Sequence, residues 1–389
     1  MVKTFRLDIC LVEEQFEMVQ YVEKGRKPRW RYFPKEGHPQ AVTRFDGTRI
    51  TPGFLQAIAY EVYVKNVIFG LLHQWLGDMG MTVSENTLRN WLKKGRKYLD
   101  RMVVELKRIA LEKDAVVNCD ETWCKVRKYD RYKKCYMWVL VNKAERVVIF
   151  FYEDGSRGRD VLTNFLGDAE LKALMSDGYN AYVFIGDGLK THRYKDTDHQ
   201  VCLAHVRAKF VKARMEGGDK RADVFLDNIN RLFRFEREYD REMITDGERT
   251  RRRQGLPTME AMINLRANLL QELKSEEEQK SCYMREALNY LHKFWNEAFT
   301  YIKDGRYPIS NNLAERAVRP FTTKRKNSLH FGSDEGAEIA AVYHSIISTV
   351  KLQGRSAWGY LGKFFTGIFT GCRDFLSLTP QNIDLAVCQ

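Results

Sequence analysis

Three short β-rich runs between residues 113 and 154 constrain the fold of this chain most strongly, because the segments on either side are mostly helical in pattern. They read AVVNCDETWCKV, KKCYMWVLVN and RVVIFFYED, with Lys, Asp, Asn and Glu in the turns between them. Such runs are typical of antiparallel strands. A helix, RGRDVLTNFLG, follows. Two further strands are predicted, one that ends at SDGY and one in HQVCLAHV. This order predicts a mixed α/β layer fold.

The other segments differ in composition and give a domain order. Residues 1–48 alternate apolar and polar side chains, which predicts a short hairpin and a loop, whereas 206–303 reads as long charged helices. The predicted domains are an N-terminal β element at 1–48, a helical helix-turn-helix region at 49–112, a mixed-sheet core at 113–205 and 304–353, an all-α insertion at 206–303, and a C-terminal helical tail at 354–389.

The charge of the chain favours a polyanionic partner. Its 389 residues carry a formal net charge of +13, which is typical of proteins that bind nucleic acid or an anionic membrane surface. No apolar run approaches the roughly 18 residues of a membrane span, and the N-terminus is too charged for a signal peptide. The eight cysteines are scattered without a Cys-x-x-Cys pair. This pattern indicates a reducing cytosol and no disulfide framework.

Residues 49–112 contain two predicted helices. The first begins at Thr51 and Pro52 and runs to Gly80, and the second begins after Ser84. The inner face of the second helix carries Leu88, Trp91 and Leu92, and its outer face carries Glu85, Asn86, Arg89, Lys93 and Lys94. Two interpretations remain open. The pair is either a helix-turn-helix whose second helix enters a DNA major groove or an ordinary helical hairpin with a solvated face.

Three carboxylates fall at positions suited to metal-dependent chemistry. Asp120 lies at the end of a buried-looking strand, Asp177 ends another strand, and Glu315 begins a short helix. If these elements are neighbours, the carboxylates converge, and two Mg²⁺ ions would relieve their repulsion and align a phosphodiester for displacement. Each acid also has a structural interpretation. Asp120 would be paired with a cation, Asp177 would serve a turn, and Glu315 would close a capping box with Asn312.

A basic run follows Glu315 in SNNLAERAVRPFTTKRKNS. Pro320 is predicted to end the helix after about two turns and to direct the following residues towards DNA. The alternative is a solvated basic face. The predicted phosphate contacts in this run are Arg316, Arg319, Lys324, Arg325 and Lys326.

These motifs, in this order, resemble the bacterial DDE-type transposases of the insertion sequence 66 family. The resemblance runs from about residue 5 to 365 and rests on DETWCKV, SDGYNAY, CLAHVRAKF and the long block from DGRYPISNN to KLQG. It implies a ribonuclease-H-like core whose triad, Asp120, Asp177 and Glu315, binds two Mg²⁺ or Mn²⁺ ions. We further expect active-site support from Cys202, His205, Asn311 and Asn312, and a DNA contact from Arg207. Cys202 and His205 are expected to act in positioning rather than in zinc binding.

The implied activity is cleavage of transposon ends and transfer of the freed 3′-hydroxyl into target DNA. The implied partners are double-stranded DNA, a second copy of the chain and companion proteins, in a bacterial cytoplasm at the nucleoid. Members of the family are longer at the N-terminus, so a shortened member is expected here, with KGRKPRWRYF where cysteines are usual. Two alternatives stay open: a catalytically idle, repurposed DNA-binding protein, and a metal-dependent nuclease without strand transfer.

Overall fold

The computed structural model describes residues 11–12, 19–22, 24–25, 27, 29–31, 45, 48, 50–187, 192–275 and 280–384. Within the predicted N-terminal β element, Val19–Tyr21 (β1) pairs antiparallel with Arg29–Arg31 (β2). The loop predicted after this hairpin lies at 32–44, outside the described residues.

The chain forms two compact units, and neither is continuous in sequence. The first comprises Met1–Glu105, Thr323–Leu329 and Val342–Gln389, as far as these are described, and the second comprises Leu106–Thr322 and His330–Ala341. The predicted core segment 304–353 is therefore divided, because its residues 323–329 and 342–353 belong to the first unit.

Helices build the first unit. Pro52–Tyr63 (α1) begins as predicted, since the Thr51 hydroxyl accepts the Phe54 N–H at 3.1 Å. The single helix predicted from there to Gly80 is wrong. The chain leaves α1 through a left-handed residue, Asn66, and forms a second helix, α2. The bounds of the other helices in this unit are Phe69–Asp78 (α2), Glu85–Ala110 (α3, up to Glu105) and Ala357–Phe369 (α13).

The apolar face of α3 forms part of the core of this unit. Leu88, Trp91 and Leu92 are buried, as predicted. Gly95 lies on the same face, where a Cβ atom would come within 2.5 Å of the Tyr343 hydroxyl oxygen. The Tyr343 ring stacks on Tyr63 with 4.4 Å between ring centroids. Close helix packing therefore requires glycine at position 95.

A five-stranded mixed sheet forms the core of the second unit. Its strands are Val116–Lys128 (β3), Arg131–Asn142 (β4), Val147–Phe151 (β5), Ala173–Ser176 (β6) and Asp198–Val201 (β7). Their spatial order is β5-β4-β3-β6-β7. The first three strands pair antiparallel, whereas β6 runs parallel to β3 and β7 runs parallel to β6. The predicted helix after β5 is present as Arg159–Leu166 (α4).

Helices alone occupy the described residues from β7 to the start of the next long helix. They are Leu203–Met215 (α5), Ala222–Glu242 (α6), Asp246–Arg253 (α7), Leu256–Lys274 (α8), Cys282–Lys293 (α9) and Trp295–Phe299 (α10). Their core contains the stacked rings of Phe210 and Phe225, 4.4 Å apart. The helical segment begins slightly before the predicted position 206, because α5 starts directly after Cys202.

Two further long helices, Asn312–Ser328 (α11) and Asp334–Leu352 (α12), follow. The prediction that Pro320 ends the first of them is wrong, since Pro320 lies inside α11. Proline removes one helical hydrogen bond and disfavours the preceding turn. Burial of its neighbours Val318 and Phe321 offsets that cost, and the Phe321 ring lies 5.8 Å from that of Phe331. In the described part of the chain, no helix combines the length and apolarity needed to cross a membrane.

Candidate active site

Asp120 lies beside the end of the short parallel strand β6. It is the fifth residue of the thirteen-residue strand β3, so the expectation that it ends its strand is wrong. The parallel pairing of β3 with β6, however, stops at Asn118 and Met175. Continuing that register by two residues on each strand brings Asp120 and Asp177 to neighbouring positions.

Asp177 occupies a tight turn after β6. Its carboxylate accepts the Tyr179 N–H at 2.8 Å, and its carbonyl accepts a hydrogen bond from the Tyr290 hydroxyl. Gly178 has a φ of +80°, and a Cβ atom there would lie 2.8 Å from the Tyr290 hydroxyl oxygen. The predicted turn is confirmed, and α9 reinforces it from the helical segment. The turn and site interpretations of Asp177 are therefore compatible.

Asn311 fixes the start of α11, and hence Glu315, against the sheet. Its side-chain amide donates to the Cys119 carbonyl at 2.9 Å and accepts from the Asn118 amide at 2.9 Å. Its own N–H donates to the Cys202 sulfur at 3.1 Å. Its carbonyl accepts the Glu315 N–H at 3.1 Å, which is the first hydrogen bond of the helix. The Asn311 side chain therefore serves the sheet rather than a helix cap.

The capping box expected as an alternative for Glu315 is not formed. Among the described residues, the Glu315 carboxylate makes no hydrogen bond to Asn312, which is itself the first residue of α11. The carboxylate lies beside His205, whose Nδ1 is 3.8 Å from Glu315 Oε1. Glu315 is thus turned towards the sheet and the start of α5.

Burial raises the pKa of the Asp120 carboxyl to about 8, and nearby carboxylates add to the rise. Those carboxylates belong to Glu121, Asp177 and Glu315. One backbone N–H, from Glu121 at 2.9 Å, opposes the rise in pKa. The three predicted acids therefore interact electrostatically. Repulsion from the nearby carboxylates raises the pKa of Asp120 by more than the Glu121 N–H lowers it.

Glu121 points to the opposite face of β3, as strand alternation predicted, and the chain itself compensates its charge. Arg157 donates to Glu121 Oε1 through Nε at 2.8 Å and Nη2 at 2.6 Å. The Tyr182 hydroxyl donates to the other oxygen at 2.6 Å. Burial raises the pKa of Glu121, and these hydrogen bonds oppose that rise. Adjacent acids on one strand thus have different environments.

Cys202 and His205 begin α5, so the strand predicted through HQVCLAHV ends at Val201. The Cys202 thiol is buried, and burial raises its pKa to about 11. The His205 Nδ1 atom is also buried and has no hydrogen-bond partner among the described residues. In that part of the chain, three metal-ligating side chains with ligand atoms within 4.8 Å of one another occur at Cys202, His205 and Glu315, not at the predicted triad.

The basic residues of α11 have different exposures. Arg316, Arg319 and Lys326 are exposed, and Arg325 is half-buried. Lys324 differs from the expectation of a phosphate contact. Its side chain is buried, with the residue 6% exposed, and its ammonium donates to the Val62 carbonyl at 2.7 Å. Because the helix continues past Pro320, Lys324 falls on its buried side and is excluded from the set of surface phosphate contacts.

The remaining predicted DNA contacts lie on α3 and α5. Arg89 is exposed and pairs with Glu85 at 2.5 Å, while Lys93 is exposed and Lys94 is half-buried. Arg207 is half-buried, and its Nε donates to the Asn230 oxygen of α6 at 2.6 Å. Arg89 and Arg207 are therefore partly engaged by intrachain contacts.

Several residues of the site were not identified from the sequence. Asn118 lies two residues before Asp120 on the same strand face, so strand alternation would have indicated it. Lys209 and Lys212 line a pocket of about 220 Å³ with His205, and their helical spacing from His205 would have indicated them too. Tyr290 is 113 residues from Asp177 in sequence, and no local pattern predicts their contact.

The model of one protein family, described as Transposase IS66 family, matches residues 47–339, which include all three predicted acids. The chain belongs to the IS66 family of transposases. Membership supports a transposase function in general, in agreement with the expectation from the motifs.

Three curated relatives of this IS66-family chain are uncharacterized proteins of Sinorhizobium fredii. The protein y4jD is 26% identical over 350 residues, which cover 85% of this chain and 65% of y4jD. The protein y4qI is 27% identical over 239 residues, or 61% of this chain and 43% of y4qI. The protein y4hP is 25% identical over 252 residues, or 60% of this chain and 44% of y4hP. The chain spans less than two thirds of the length of each relative.

Proposed function

We propose that this chain is a DDE-type DNA transposase that cleaves transposon ends and joins the freed 3′-hydroxyl to target DNA. The observation that carries the proposal is the electrostatic coupling of Asp120, Asp177 and Glu315, which come from β3, the turn after β6 and α11. Among the described residues no cation pairs with Asp120, whereas Arg157 pairs with the adjacent Glu121. An uncompensated cluster of acids is suited to metal ions and phosphates.

The sheet topology supports a ribonuclease-H-like catalytic core. The sheet is antiparallel over its first three strands and parallel over the next two, and the acids lie on its central strand and at the carboxyl end of the adjacent strand. Ligand sites of sheets with parallel strands collect at such ends. The all-helical segment inserted after β7 agrees with the insertion that the family resemblance implies.

Asp120, Asp177 and Glu315 would hold Mg²⁺ or Mn²⁺, two ions in the complete site. Carboxylate oxygens are the ligands these ions prefer, and the raised pKa of Asp120 indicates a site that a cation would stabilise. Bound there, the ions would supply an activated water and neutralise charge that develops on the phosphodiester.

The surrounding residues hold the acids in place. Asn311 ties the first turn of α11 to β3, which positions Glu315. Tyr290 and Gly178 shape the turn that carries Asp177. Arg316 and Arg319 are exposed on the helix that carries Glu315 and would contact backbone phosphates. Affinity for DNA should then fall steeply with salt.

Double-stranded DNA is the proposed partner, and the net charge of +13 favours it. Helices α2 and α3 would act as a helix-turn-helix, with Arg89, Lys93 and Lys94 towards the major groove. We further propose that the chain acts on DNA as a dimer, with companion proteins of its element, in the bacterial cytoplasm.

The test uses a plasmid that carries the DNA flanking the gene, incubated with the full chain and Mg²⁺ or Mn²⁺. We expect nicking at the element ends by the unmodified chain and none by Asp120→Asn or Asp177→Asn. Asp130→Asn, in the exposed turn between β3 and β4, is the matched control and should remain active. Cleavage that survives both site substitutions would show the mechanism to be wrong.

A second assay separates the proposal from its rivals. Pre-cleaved ends with a free 3′-hydroxyl are offered with target DNA, and a transposase joins them. A metal nuclease cleaves the first substrate but forms no joint molecule. A repurposed DNA-binding protein binds the ends and does neither.

A further inference from the structure

A cluster of three different donor atoms joins one of the predicted acids, Glu315, to two side chains that have no role in the proposed chemistry. It consists of the Cys202 sulfur, the His205 Nδ1 nitrogen and a Glu315 carboxylate oxygen, all within 4.8 Å of one another. Cys202 and His205 come from the start of α5, and Glu315 comes from the first turn of α11.

The donor set differs in chemistry from the carboxylate set that includes Asp120 and Asp177. Mg²⁺ prefers oxygen ligands, whereas Zn²⁺ and Co²⁺ bind sulfur and imidazole nitrogen. A Cys, His and Glu set therefore favours a thiophilic ion over Mg²⁺.

The distances are close to those of a tetrahedral zinc site. Zinc bond lengths of about 2.0–2.3 Å place two ligand atoms about 3.4–3.6 Å apart. His205 Nδ1 and Glu315 Oε1 are already 3.8 Å apart, which is too long for a good hydrogen bond but close to this ligand spacing. The Cys202 sulfur lies within 4.8 Å of both atoms.

The environment of the His205 Nδ1 atom also favours a metal ion. The atom is buried, has no hydrogen-bond partner among the described residues, and faces Glu315. A buried polar atom without a partner destabilises the folded protein. A metal ion between this nitrogen and the carboxylate would satisfy both groups.

Burial raises the pKa of the Cys202 thiol, and two features of its surroundings oppose that rise. Its sulfur accepts the Asn311 N–H at 3.1 Å, and such a hydrogen bond stabilises a thiolate. Cys202 also precedes the thirteen-residue helix α5, whose N-terminus favours negative charge. Metal binding displaces the thiol proton to solvent.

We propose that Cys202, His205 and Glu315 form a binding site for a thiophilic divalent ion, Zn²⁺ in the cell, with water as the fourth ligand. The thiolate and carboxylate balance the two charges of the ion, and neutral His205 adds none. This assignment replaces the expectation that Cys202 and His205 only position the active site.

A regulatory consequence follows, and it rests on the proposed function. Glu315 cannot bind one ion together with Cys202 and His205 and, at the same time, fully bind another together with Asp120 and Asp177. Zn²⁺ should therefore inhibit Mg²⁺-dependent cleavage. At a Zn²⁺ concentration 100 times its dissociation constant, about one chain in 100 remains free, and cleavage should fall about 100-fold. In His205→Ala, the cleavage that remains should no longer fall when Zn²⁺ is added.

Co²⁺ titration of the full chain tests the site without any activity. A bound Co²⁺ ion gives a thiolate-to-cobalt absorption band, and we expect one ion per chain, displaced by Zn²⁺. The band should be lost in Cys202→Ser and weakened in His205→Ala. The matched controls, Cys282→Ser and His292→Ala, change exposed residues of α9 and should retain it.

The outcomes distinguish this proposal from the proposed function. If the unmodified chain cleaves no DNA but gives a thiolate band, and the band persists in Asp120→Asn, the metal site is supported and the proposed function is contradicted. A chain that cleaves DNA but gives no thiolate band, or one lost only in Cys282→Ser, contradicts the site. Circular dichroism checks that Cys202→Ser folds, and the half-exposed His205 provides the second variant.

Discussion

Two carboxylates in the unit with the five-stranded sheet, Glu236, which is buried, and Asp120, which is partly buried, have opposite surroundings. Glu236, 6% exposed, receives two hydrogen bonds from Arg253, at 2.8 and 2.7 Å, and one from Arg249 at 2.8 Å. Asp120 receives one backbone N–H, and three carboxylates add to its electrostatic cost. Glu236 is neutralised by two arginines, whereas Asp120 has no cationic partner in the part of the chain that the structure describes.

The difference separates a structural acid from a candidate functional one. Arg253 is 1% exposed and uses its remaining donors on the carbonyls of Tyr301, Asp304 and Tyr307, so the pair joins α6, α7 and the segment leading to α11. Removing a partner from such a network leaves an unpaired buried charge. Asp120 lies among other carboxylates, and a bound cation would favour its ionised form.

The largest expected effect is at Asp120. Asp120→Asn keeps the shape and removes the charge, and we expect Mg²⁺-dependent cleavage to fall about 10³-fold, or about 4 kcal/mol in barrier. The metal-free protein should not lose stability. A pKa of about 8 in the folded state, above the unfolded value, means that the stability of the unmodified chain falls as pH rises from about 4 to 8.

Thermal unfolding in EDTA at pH 5 and pH 9 measures this change in the stability of the metal-free protein. The variant lacks the titrating group, so it should be at least as stable as the unmodified chain at pH 9. A variant less stable at pH 9 would mean that the chain pairs Asp120 after all, and the contrast with Glu236 would disappear.

The reverse pattern is expected at Glu236. Glu236→Gln leaves Arg253 buried without a counter-charge, and we expect a loss of about 3–5 kcal/mol in the free energy of unfolding, measured in urea. The control, Glu260→Gln, breaks an exposed pair with Arg231 and should cost no more than about 1 kcal/mol. Equal effects of the two substitutions would remove the argument that the buried pair is structural.

A smaller effect is expected at Asn311, which connects the strand that carries Asp120 to the start of the helix that carries Glu315. Asn311→Ala leaves the Asn118 amide and the Cys119 carbonyl without this partner, at a cost of about 1–3 kcal/mol. Cleavage should also fall, since Glu315 loses its fixed position. Asn312→Ala, on an exposed side chain, should change stability by about 0.5 kcal/mol or less. A larger loss at Asn312 would restore the capping box as an explanation of the motif.

The sequence predicted those parts of the site that depend on local periodicity. Strand alternation separated Asp120 from Glu121, and a turn motif located Asp177, because both patterns are set by neighbouring residues. The partners that decide each acid's role were not predictable. Arg157 lies 36 residues from Glu121, and Tyr290 lies 113 residues from Asp177. Their contacts depend on tertiary packing alone.

Local rules failed where packing outweighed them. Pro320 is a strong helix breaker, yet α11 continues because Val318 and Phe321 are buried on either side of it. The continuation of α11 past Pro320 also explains why Lys324 is buried. Its spacing of three residues from Phe321 places it on the buried side of the helix, whereas a chain released at Pro320 would have exposed it.

Lys324 gives the smallest effect at neutral pH and extends the comparison to a buried cation. Burial lowers its pKa to about 7, and its ammonium has one carbonyl partner and lies 4.1 Å from the centroid of the Tyr63 ring. Between about pH 7 and 10 the unfolded chain binds more protons than the folded chain, so this lysine makes stability rise with pH.

Lys324→Met keeps most of the side-chain volume and removes the titrating group. We expect stability within about 1 kcal/mol of the unmodified chain at pH 7 and a shallower rise towards pH 10, measured by urea unfolding at several pH values. Lys326→Met, on the exposed side of the same helix, should keep the full rise. If both variants show the same slope, the Lys324 ammonium is solvated, and its return to the set of phosphate contacts on α11 would be justified.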